Sequence, residues 1–368
     1  MNILQSMLFF ELLQIALGNK TLLSVIPSES EWRALYTLCK KQAILGIAYV
    51  AIEKLPSEQR PPKQILLQWC LAAEIIKEKN ICVNPSVIKI SQLFRSDGFP
   101  NIILKGQGIA KYYNVNNLSL YRSPGDVDIW LYGSREEIIN YAIHKSKDCK
   151  IVYHHLDFSK IDDIEIEVHF TPSWMNCYFT NKKLQKFFND SKCTLFKTEL
   201  ANIDDFPTPS IAFNRVFILI HIYRHLFHEG VGLRQLLDYY FVLYQGFTES
   251  EKEETLKILY SLKMRRFVGA VMYIMKFVFG MKDCYLLTTP NEKDGKFLLY
   301  EVMRAGNFGH YDKDIRRKKN ESDFSFGLRK VKRNLRFVFY YPSEALWSPI
   351  FKLWHYIWRK RQIKKYWS

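Results

Sequence analysis

The pattern Asp126-Val-Asp128 lies in a strand-like apolar run and has the composition of a cation site. Alternate side chains of a strand point to the same face, so the two carboxylates lie side by side. Neighbouring carboxylates repel each other unless a cation or a proton lies between them. The same pattern also occurs on solvated strand edges and in turns, so a second acidic group is needed to support a metal site.

A second strand with one acidic face follows farther along the chain. Within residues 164–170, apolar side chains alternate with Glu165, Glu167 and His169. Two Asp from one strand and one Glu from a neighbouring strand form an all-oxygen site of the kind that binds Mg²⁺ for phosphoryl transfer. Glu165 and Glu167 face the same way, so either of them can supply the third carboxylate.

The elements that position these residues alternate between helices and strands. Ser134 and Glu137 form a capping-box pattern, which predicts a helix that begins after Ser134 and ends near residue 147. Alternation and turn signals predict strands at 101–104, around Asp126 and Asp128, at 149–153 and at 165–170. The order helix, strand, helix, strand, helix, strand, strand indicates a small mixed sheet with helices packed on it.

Helical patterns flank this sheet on both sides. In the N-terminal part, one helix begins after Ser30, and another runs over 63–83 and is broken or kinked at Pro85 before 87–94. The C-terminal part contains predicted helices at 210–227, 233–244, 249–262 and 265–279. We predict an α+β fold with an N-terminal helical region at 1–98, an α/β core at 99–205 and a C-terminal helical region at 206–368.

Three segments carry a resemblance to a known family. They are Leu-Lys-Gly at 104–106, Arg-x-x-Gly-Asp-x-Asp at 122–128, and an acidic residue two positions before His169. Together they resemble the polymerase-β-type nucleotidyltransferases, and more narrowly the bacterial nucleotidyltransferase-like family with this signature. The resemblance implies an enzyme that transfers an NMP from a nucleoside triphosphate, such as ATP, to an acceptor hydroxyl and releases pyrophosphate.

The resemblance also implies roles for individual residues. By this resemblance, three carboxylates are catalytic and bind two Mg²⁺ ions (or Mn²⁺). They are Asp126, Asp128 and Glu167. Glu167 is preferred to Glu165 because it matches the family position before the His. The residues that it places against the triphosphate are Lys105, Gly106, Arg122 and Gly125. The sequence distinguishes neither the nucleobase nor the acceptor, which is a small molecule, a protein or RNA.

The turn before the first Asp supports an alternative without catalysis. The chain has Lys105-Gly106-Gln107 where the wider superfamily usually has Gly-Gly or Gly-Ser, and Asp126 lies 20 residues beyond Gly106. This departure is compatible with a degenerate fold that binds nucleotide or a partner without catalysis. The three intact carboxylates favour the enzyme, because an idle site has no physical reason to keep unpaired acids together.

Polar residues also lie on one face of a predicted C-terminal helix. His221, Arg224, His225 and His228 have the spacing i, i+3, i+4 and i+7. The face is compatible with a zinc site, with a polar seam that faces the active-site cleft and contacts nucleotide, or with ordinary inter-helix hydrogen bonds. Arg234 and Asp238 have an i, i+4 spacing, for which we predict a structural role.

The net charge of +16 is concentrated at the C-terminus. Residues 313–368 contain 16 Lys and Arg against four acidic residues, a net charge of +12. Aromatic residues accompany these cations, and Ile350, Leu353, Trp354 and Ile357 form an apolar stripe. The region is compatible with a helix packed on the core with a basic outer face, with binding to RNA or an acidic partner, and with binding to an anionic membrane surface.

Bulk composition excludes several classes of protein. The chain has 368 residues of which 48% are hydrophobic, enough to form a sizeable core. Its seven cysteines are scattered and never spaced as C-x-x-C, which indicates reduced thiols and no zinc ribbon. The N-terminus lacks the pattern of a signal peptide, and no apolar run has the length of a transmembrane segment. We therefore expect a cytoplasmic protein.

Overall fold

The computed structural model describes residues 3–146, 149–199 and 205–367. Within these ranges the chain forms fifteen α-helices and one four-stranded sheet. The strands are β1 (Asn101–Ile103), β2 (Val127–Leu131), β3 (His155–Ile161) and β4 (Ile164–His169). The helices are α1 (Ile3–Leu17), α2 (Glu29–Lys41), α3 (Leu45–Lys54), α4 (Lys63–Ser96), α5 (Gln107–Ala110), α6 (Leu118–Tyr121), α7 (Arg135–Lys145), α8 (Tyr178–Glu199), α9 (Ile211–His228), α10 (Leu233–Tyr244), α11 (Glu249–Ser261), α12 (Arg265–Phe277), α13 (Glu292–Ala305), α14 (Asp323–Leu335) and α15 (Pro342–Trp367).

The sheet is mixed and has the strand order β1-β2-β4-β3. Strand β2 pairs antiparallel with β1 and parallel with β4, and β3 pairs antiparallel with β4. The predicted α+β fold with a small mixed sheet and a helical C-terminal region is confirmed. The sheet lies in the middle of the chain, between four N-terminal helices and the helices that follow residue 177.

The third strand lies later in the chain than predicted. Residues 149–153 contribute only an isolated bridge between Ile151 and Leu156, and β3 begins at His155. The reason is the tight turn at Asp162 and Asp163, which both have positive φ and join β3 directly to β4. The strand that pairs with β4 is the one adjacent to this turn, and a register shift between Phe158 and Ile161 sets the pairing of the part of β3 that contains His155.

The two faces of the sheet have different surroundings. On one face, the apolar side chains of β2 and β4 are buried against α4 and α7 in a cluster that includes Val127, Ile129, Val168, Ile138 and Phe94. Because side chains alternate along a strand, the polar residues of β2, β3 and β4 share the opposite face. The capping box that begins α7 at Ser134 and Glu137 is present as predicted, and α7 ends at Lys145; residue 147 lies outside the described residues.

The long helix α4 is continuous across Pro85. Of the predicted break or kink, the break is absent, because the helix runs through Pro85 to Ser96 although Pro removes one backbone donor. Packing explains the continuity, because the first half buries Trp69 in the larger core and the second half buries Ile90 under the sheet. Helix α2 is capped by Ser28 rather than by Ser30.

Helix α8 is not predicted from the sequence, and its first turn explains why. The carboxylate of Glu344, in α15, accepts hydrogen bonds from the backbone N–H groups of Asn176 and Cys177 at 2.6 and 3.1 Å, immediately before α8 begins. A residue more than 160 positions away therefore caps this helix. Local capping signals contain no information about such a contact.

The C-terminal helix α15 packs through a different side than its apolar stripe indicates. Ile350, Leu353 and Ile357 are 55%, 65% and 45% exposed, whereas Phe351 is buried. Phe351 stacks on Trp174 with ring centroids 4.1 Å apart. The preceding helix α14 is also anchored, since Arg333 pairs with Asp312 at 3.2 Å.

All seven cysteines are free thiols. No helix among the described residues combines the length and the hydropathy that crossing a bilayer requires.

Candidate functional site

Strand register brings the predicted carboxylates together. Asp128 on β2 and Glu167 on β4 are direct Cα partners in the parallel ladder. The Asp128 side chain is 1% exposed, and its Oδ2 atom has no hydrogen-bond partner among the described residues. Asp126 precedes β2 by one residue and is more accessible, with 31% of its side chain exposed. An acidic site therefore forms where the two strands lie side by side.

Lys105 supplies a cation between the two aspartates. It follows β1, where the backbone N–H of Leu104 donates to the Asp128 carbonyl oxygen at 2.9 Å. The Lys105 Nζ atom lies 2.8 Å from Asp128 Oδ1 and 4.0 Å from Asp126 Oδ2. Burial lowers the pKa of Lys105, but the charges of Asp128, Asp126 and Glu167 outweigh burial and raise it. The amine is therefore an ammonium ion at neutral pH.

Two histidines also contact the carboxylates. His169 Nε2 lies 2.9 Å from Asp128 Oδ1 and 3.5 Å from Glu167 Oε2. Burial lowers the pKa of His169, and the hydrogen bonds to Asp128 and Glu167 reverse that effect, so the pKa is raised. His155 Nδ1 lies 3.4 Å from Glu167 Oε2. Burial raises the pKa of Glu167, but the hydrogen bond from His169 and the charges of Lys105 and His155 lower it to about 2.

The geometry separates the two glutamates that the sequence left as alternatives. Glu165 forms an ion pair with Lys160 at 2.9 Å, and its side chain is 70% exposed. Glu167 instead has a ligand oxygen within 4.8 Å of ligand atoms of Asp128 and His169. Of the two, only Glu167 belongs to the acidic site.

Arg122 is held by an aspartate from the helical region. Its Nε and Nη2 atoms donate to the Asp238 carboxylate on α10 at 2.7 and 2.8 Å, and the Tyr113 hydroxyl donates to the same carboxylate at 2.6 Å. The carboxylate paired with Arg122 is therefore Asp238 rather than Asp126 or Asp128. Asp238 is therefore paired across elements with Arg122, instead of with Arg234 one turn earlier on α10.

Arg234 reaches the site itself. Its Nη1 atom donates to the Ser123 carbonyl oxygen at 3.0 Å, and its guanidinium lies 5.1 Å from the centroid of the Phe308 ring. A side-chain carbon added at Gly125 would lie 3.5 Å from Arg234 Nη1. A structural role is predicted for Arg234, and its hydrogen bond to Ser123 places it beside the segment that leads into Asp126.

The turn at Gly106 has a backbone conformation that favours glycine. Its φ and ψ are +58° and −114°, and an added Cβ would lie 3.4 Å from the Asp126 carbonyl oxygen. The next residue, Gln107, donates to the side-chain oxygens of Asn80 and Asn84 on α4 at 3.1 and 2.9 Å. The turn between β1 and α5 is thereby fixed to the N-terminal helical region.

A narrow cavity next to the carboxylates lies between the sheet and the C-terminal helices. The residues that line it are Lys105, Gly106, Arg122, Gly125, Asp126, Asp128, Ile218, His221, Ile222, Arg234, Gln235, Asp238 and Phe308. All predicted site residues except Glu167 are among them. Residues of α9 and α10 complete the cavity, so the helical region forms one wall of the site.

The polar side chains of α9 lie in two different surroundings, the cavity beside the aspartates and the contacts with neighbouring elements. His221 lines the cavity beside the aspartates. Farther along α9, the Arg224 guanidinium lies 3.3 Å from His154 and 3.1 Å from His225, and His228 Nε2 lies 3.1 Å from Asn176 Oδ1. Among the described residues, groups of three metal-ligating side chains include no residue of α9. The face combines a cavity contact with inter-element hydrogen bonds.

The residues that sequence reasoning missed at this site are His155, the first residue of β3, and His154 immediately before it. His154 lies 3.1 Å from His155, and its other ring nitrogen accepts from Trp174 at 3.1 Å. His155 contacts Glu167 because it is the Cα partner of His169 in the β3–β4 ladder. The available signal was the turn at 162–163, which joins β3 directly to β4; the strand predicted at 149–153 leaves both histidines outside the sheet.

Comparison with known proteins gives one match. No curated protein and no solved structure matches the chain. The model of a family described as "Uncharacterised nucleotidyltransferase" matches residues 28–280, which contain all of the site residues described above except Phe308. This match confirms the nucleotidyltransferase assignment made from the motif segments. With more than two thirds of its length matched, the chain belongs to this family of nucleotidyltransferase enzymes.

Proposed function

We propose that the protein transfers an NMP group from a nucleoside triphosphate to an acceptor hydroxyl in a reaction that depends on Mg²⁺ or Mn²⁺. The observation that carries the proposal is the register pairing of Asp128 with Glu167, with Asp126 and Lys105 at the same site. In the reaction, the acceptor oxygen forms a bond to the α-phosphorus. The bond from that phosphorus to the bridging oxygen of the β-phosphate breaks, and pyrophosphate leaves.

The side chains present fit a divalent cation. Asp128 Oδ2 is buried without a partner among the described residues, and Asp128, Glu167 and His169 have ligand atoms within 4.8 Å of one another. Asp126, Asp128 and Glu167 would hold the ions as carboxylate ligands, and the His169 imidazole suits Mn²⁺ better than Mg²⁺. When bound, such ions neutralise the charge that develops on the transferred phosphoryl group and on the leaving pyrophosphate.

The cationic wall of the cavity supports a site for the triphosphate. Lys105 and Arg234 face the cavity beside the aspartates, and Gly106 lets the backbone approach closely. Arg122 and Gly125 complete this wall, with Arg122 oriented by its two hydrogen bonds to Asp238. We assign phosphate contacts to Lys105 and Arg234. Arg122 is assigned a different role, which is to position the segment that leads into Asp126.

Glu167 is the residue that we assign to the acceptor side. It is more accessible than Asp128, and it lies next to His155. In the proposed reaction, the acceptor's proton passes to Glu167 directly or through a water molecule that Glu167 orients.

Calorimetric titration with each of the four NTPs, with and without Mg²⁺, tests the proposal. We expect micromolar affinity that requires Mg²⁺ and that is lost in the Asp126→Ala/Asp128→Ala variant. A matched control is Asp190→Ala, which removes an exposed carboxylate of α8. A well-folded wild-type protein that binds none of the four NTPs would contradict the proposal.

A further inference from the structure

A second cavity is lined by His154 and by His155, the first residue of β3. It has a volume of about 310 Å³ and is bounded by β3, by α9 and by α15. Its aromatic wall includes Trp174 and Phe351, whose rings are stacked with centroids 4.1 Å apart. We call it the α15 cavity, because five of its lining residues (Phe351, Lys352, His355, Tyr356, Arg359) belong to that helix.

The α15 cavity is lined by more cationic than acidic side chains. Arg224, Lys352 and Arg359 line it, and none of the three forms an ion pair among the described residues. The Lys352 ammonium is buried and has no hydrogen-bond partner among the described residues. The Nε atoms of Arg224 and Arg359 are likewise buried and have no hydrogen-bond partner among those residues. The one acidic residue in the lining, Glu229, is already paired with His225. Buried, unpaired cations are costly unless an anion accompanies them.

The environment of Lys352 indicates the same need for an anion. Burial and the nearby charges of Lys330 and Arg333 lower the pKa of Lys352 to about 8. An anion bound in the cavity would oppose both effects. Arg and Lys together are the usual ligands of phosphate, since Arg donates in a planar fork and Lys adds a compact charge.

The α15 cavity is connected to the acidic site through the histidines. His154 and His155 line the cavity, and His155 Nδ1 also lies 3.4 Å from Glu167 Oε2. The cavity therefore lies beside the carboxylate that we assign to the acceptor, whereas Lys105 and Arg234 line the cavity beside the two aspartates. A molecule held in the cavity can present a hydroxyl toward Glu167. Helix α15 lies beyond residue 280, where the family match ends.

We propose that the α15 cavity binds the phosphate group of the acceptor, which is a small phosphorylated alcohol such as a sugar or polyol phosphate. This assignment depends on the proposed nucleotidyl transfer for the role of the hydroxyl, but not for the binding of phosphate. The volume of the cavity is at the lower end of the range for small-molecule sites, which favours a compact ligand over a polynucleotide.

Binding of glycerol 3-phosphate, measured by calorimetry without any NTP, tests the proposal. We expect wild-type protein to bind it, and Lys352→Gln to weaken the affinity by about tenfold because one charge-assisted contact is lost. The matched control is Arg361→Gln, an equal loss of charge at an exposed position of the same helix, and its affinity should equal that of wild type. Glycerol, which lacks the phosphate, should not bind.

A second measurement identifies the location of the ligand. Pyridoxal 5′-phosphate carries a phosphate and an aldehyde, and the aldehyde condenses with a neutral lysine amine with loss of water; borohydride then reduces the imine. We expect Lys352 to be the preferred site of this label, with protection by glycerol 3-phosphate, as detected by mass spectrometry of peptides. Wild-type protein that neither binds glycerol 3-phosphate nor labels at Lys352 would overturn the proposal.

Three further outcomes of these binding measurements also test the proposed phosphate site. Equal weakening by Lys352→Gln and Arg361→Gln would show a diffuse charge effect and overturn the proposed site. Binding of a short oligoribonucleotide that depends on Lys352, without binding of glycerol 3-phosphate, would replace the small acceptor by RNA. Phosphate binding that depends on Lys352, in a protein that binds no NTP, would keep the anion site and contradict only the proposed nucleotidyl transfer.

Discussion

The Lys105 ammonium lies 2.8 Å from Asp128 Oδ1, where it neutralises a carboxylate that is almost fully buried. The same carboxylate is one of the proposed metal ligands, so Lys105 and a divalent cation compete for its charge. We predict that Lys105→Met binds Mg²⁺ more tightly than wild type in the absence of nucleotide. It should bind ATP in saturating Mg²⁺ about tenfold more weakly, because one charge-assisted contact to phosphate is lost.

Calorimetry with Mg²⁺ alone and with ATP at fixed Mg²⁺ measures both effects. The control is Lys89→Met, which removes an exposed ammonium paired with Asp162. An unchanged or lower Mg²⁺ affinity in Lys105→Met would show that the ammonium and the cation do not compete.

A second prediction concerns the backbone at Gly106. Its φ of +58° with ψ of −114° is unfavourable for a residue with a side chain, and a Cβ would also contact the Asp126 carbonyl oxygen at 3.4 Å. We expect Gly106→Ala to lower the free energy of unfolding by about 1–3 kcal/mol and to weaken ATP binding, because relief of the strain moves the turn next to Asp126.

Urea unfolding and ATP titration of Gly106→Ala measure these two effects. Gly18→Ala is the matched control, since Gly18 also has a positive φ but has open space around it. It should lose stability without a change in ATP affinity. If the Gly106 variant binds ATP like wild type, the turn does not contribute to the nucleotide site.

The buried pair of Arg122 and Asp238 gives a third prediction. Asp238→Ala leaves the Arg122 guanidinium buried without its carboxylate, which should cost about 3–5 kcal/mol of stability. The double variant Arg122→Met/Asp238→Leu should be more stable than Asp238→Ala, because it removes the unpaired charge. Denaturant unfolding measures both variants. Asp190→Ala, which breaks an exposed pair with Lys186, should stay within about 1 kcal/mol of wild type.

The same double variant separates the two roles of Arg122. If its position on the cavity wall serves mainly to orient the segment before Asp126, the folded double variant should bind ATP more weakly but still in a manner that requires Mg²⁺. Identical ATP binding by wild type and the double variant would restrict Arg122 to stability alone.

Strand alternation and turn chemistry account for what could be predicted from the sequence. The shared face of Asp126 and Asp128 and the acidic face of the later strand are local patterns, and the choice of Glu167 came from the motif. The Arg122–Asp238 pair joins residues 116 positions apart, and nothing local connects them. The same applies to His155, whose contact with Glu167 depends on the register of a hairpin that starts at a two-residue turn.

Long-range packing also decided the orientation of α15. Its apolar stripe at Ile350 and Leu353 is a genuine helical pattern, yet these side chains are exposed and Phe351 is buried on Trp174. A periodic pattern identifies an apolar face of a helix, but it does not determine which element, if any, packs on that face. In α15, the contacts of Phe351 and Glu344 with the segment before α8 set the orientation.

Glu344 provides the last prediction, because its carboxyl group is buried against the start of α8. Burial raises its pKa to about 7, although the N–H groups of Cys177 and Asn176 and the Thr180 hydroxyl oppose this effect. A carboxyl whose pKa is higher in the folded protein than the usual 4.5 binds its proton more tightly when folded. Its contribution to stability is therefore complete below about pH 4.5 and is lost as the pH rises through about 7.

The difference between these two pKa values corresponds to roughly 3 kcal/mol. We expect Glu344→Gln, which stays neutral and keeps an oxygen acceptor, to resemble wild type at pH 5 and to be more stable than wild type at pH 8 by up to that amount. Urea unfolding at pH 5, 6, 7 and 8 measures the difference. Glu253→Gln, at an exposed position of α11, should run parallel to wild type throughout. Parallel curves for Glu344→Gln as well would mean that the carboxyl ionises as readily in the folded protein as in the unfolded chain, and that its cap on α8 does not depend on a proton.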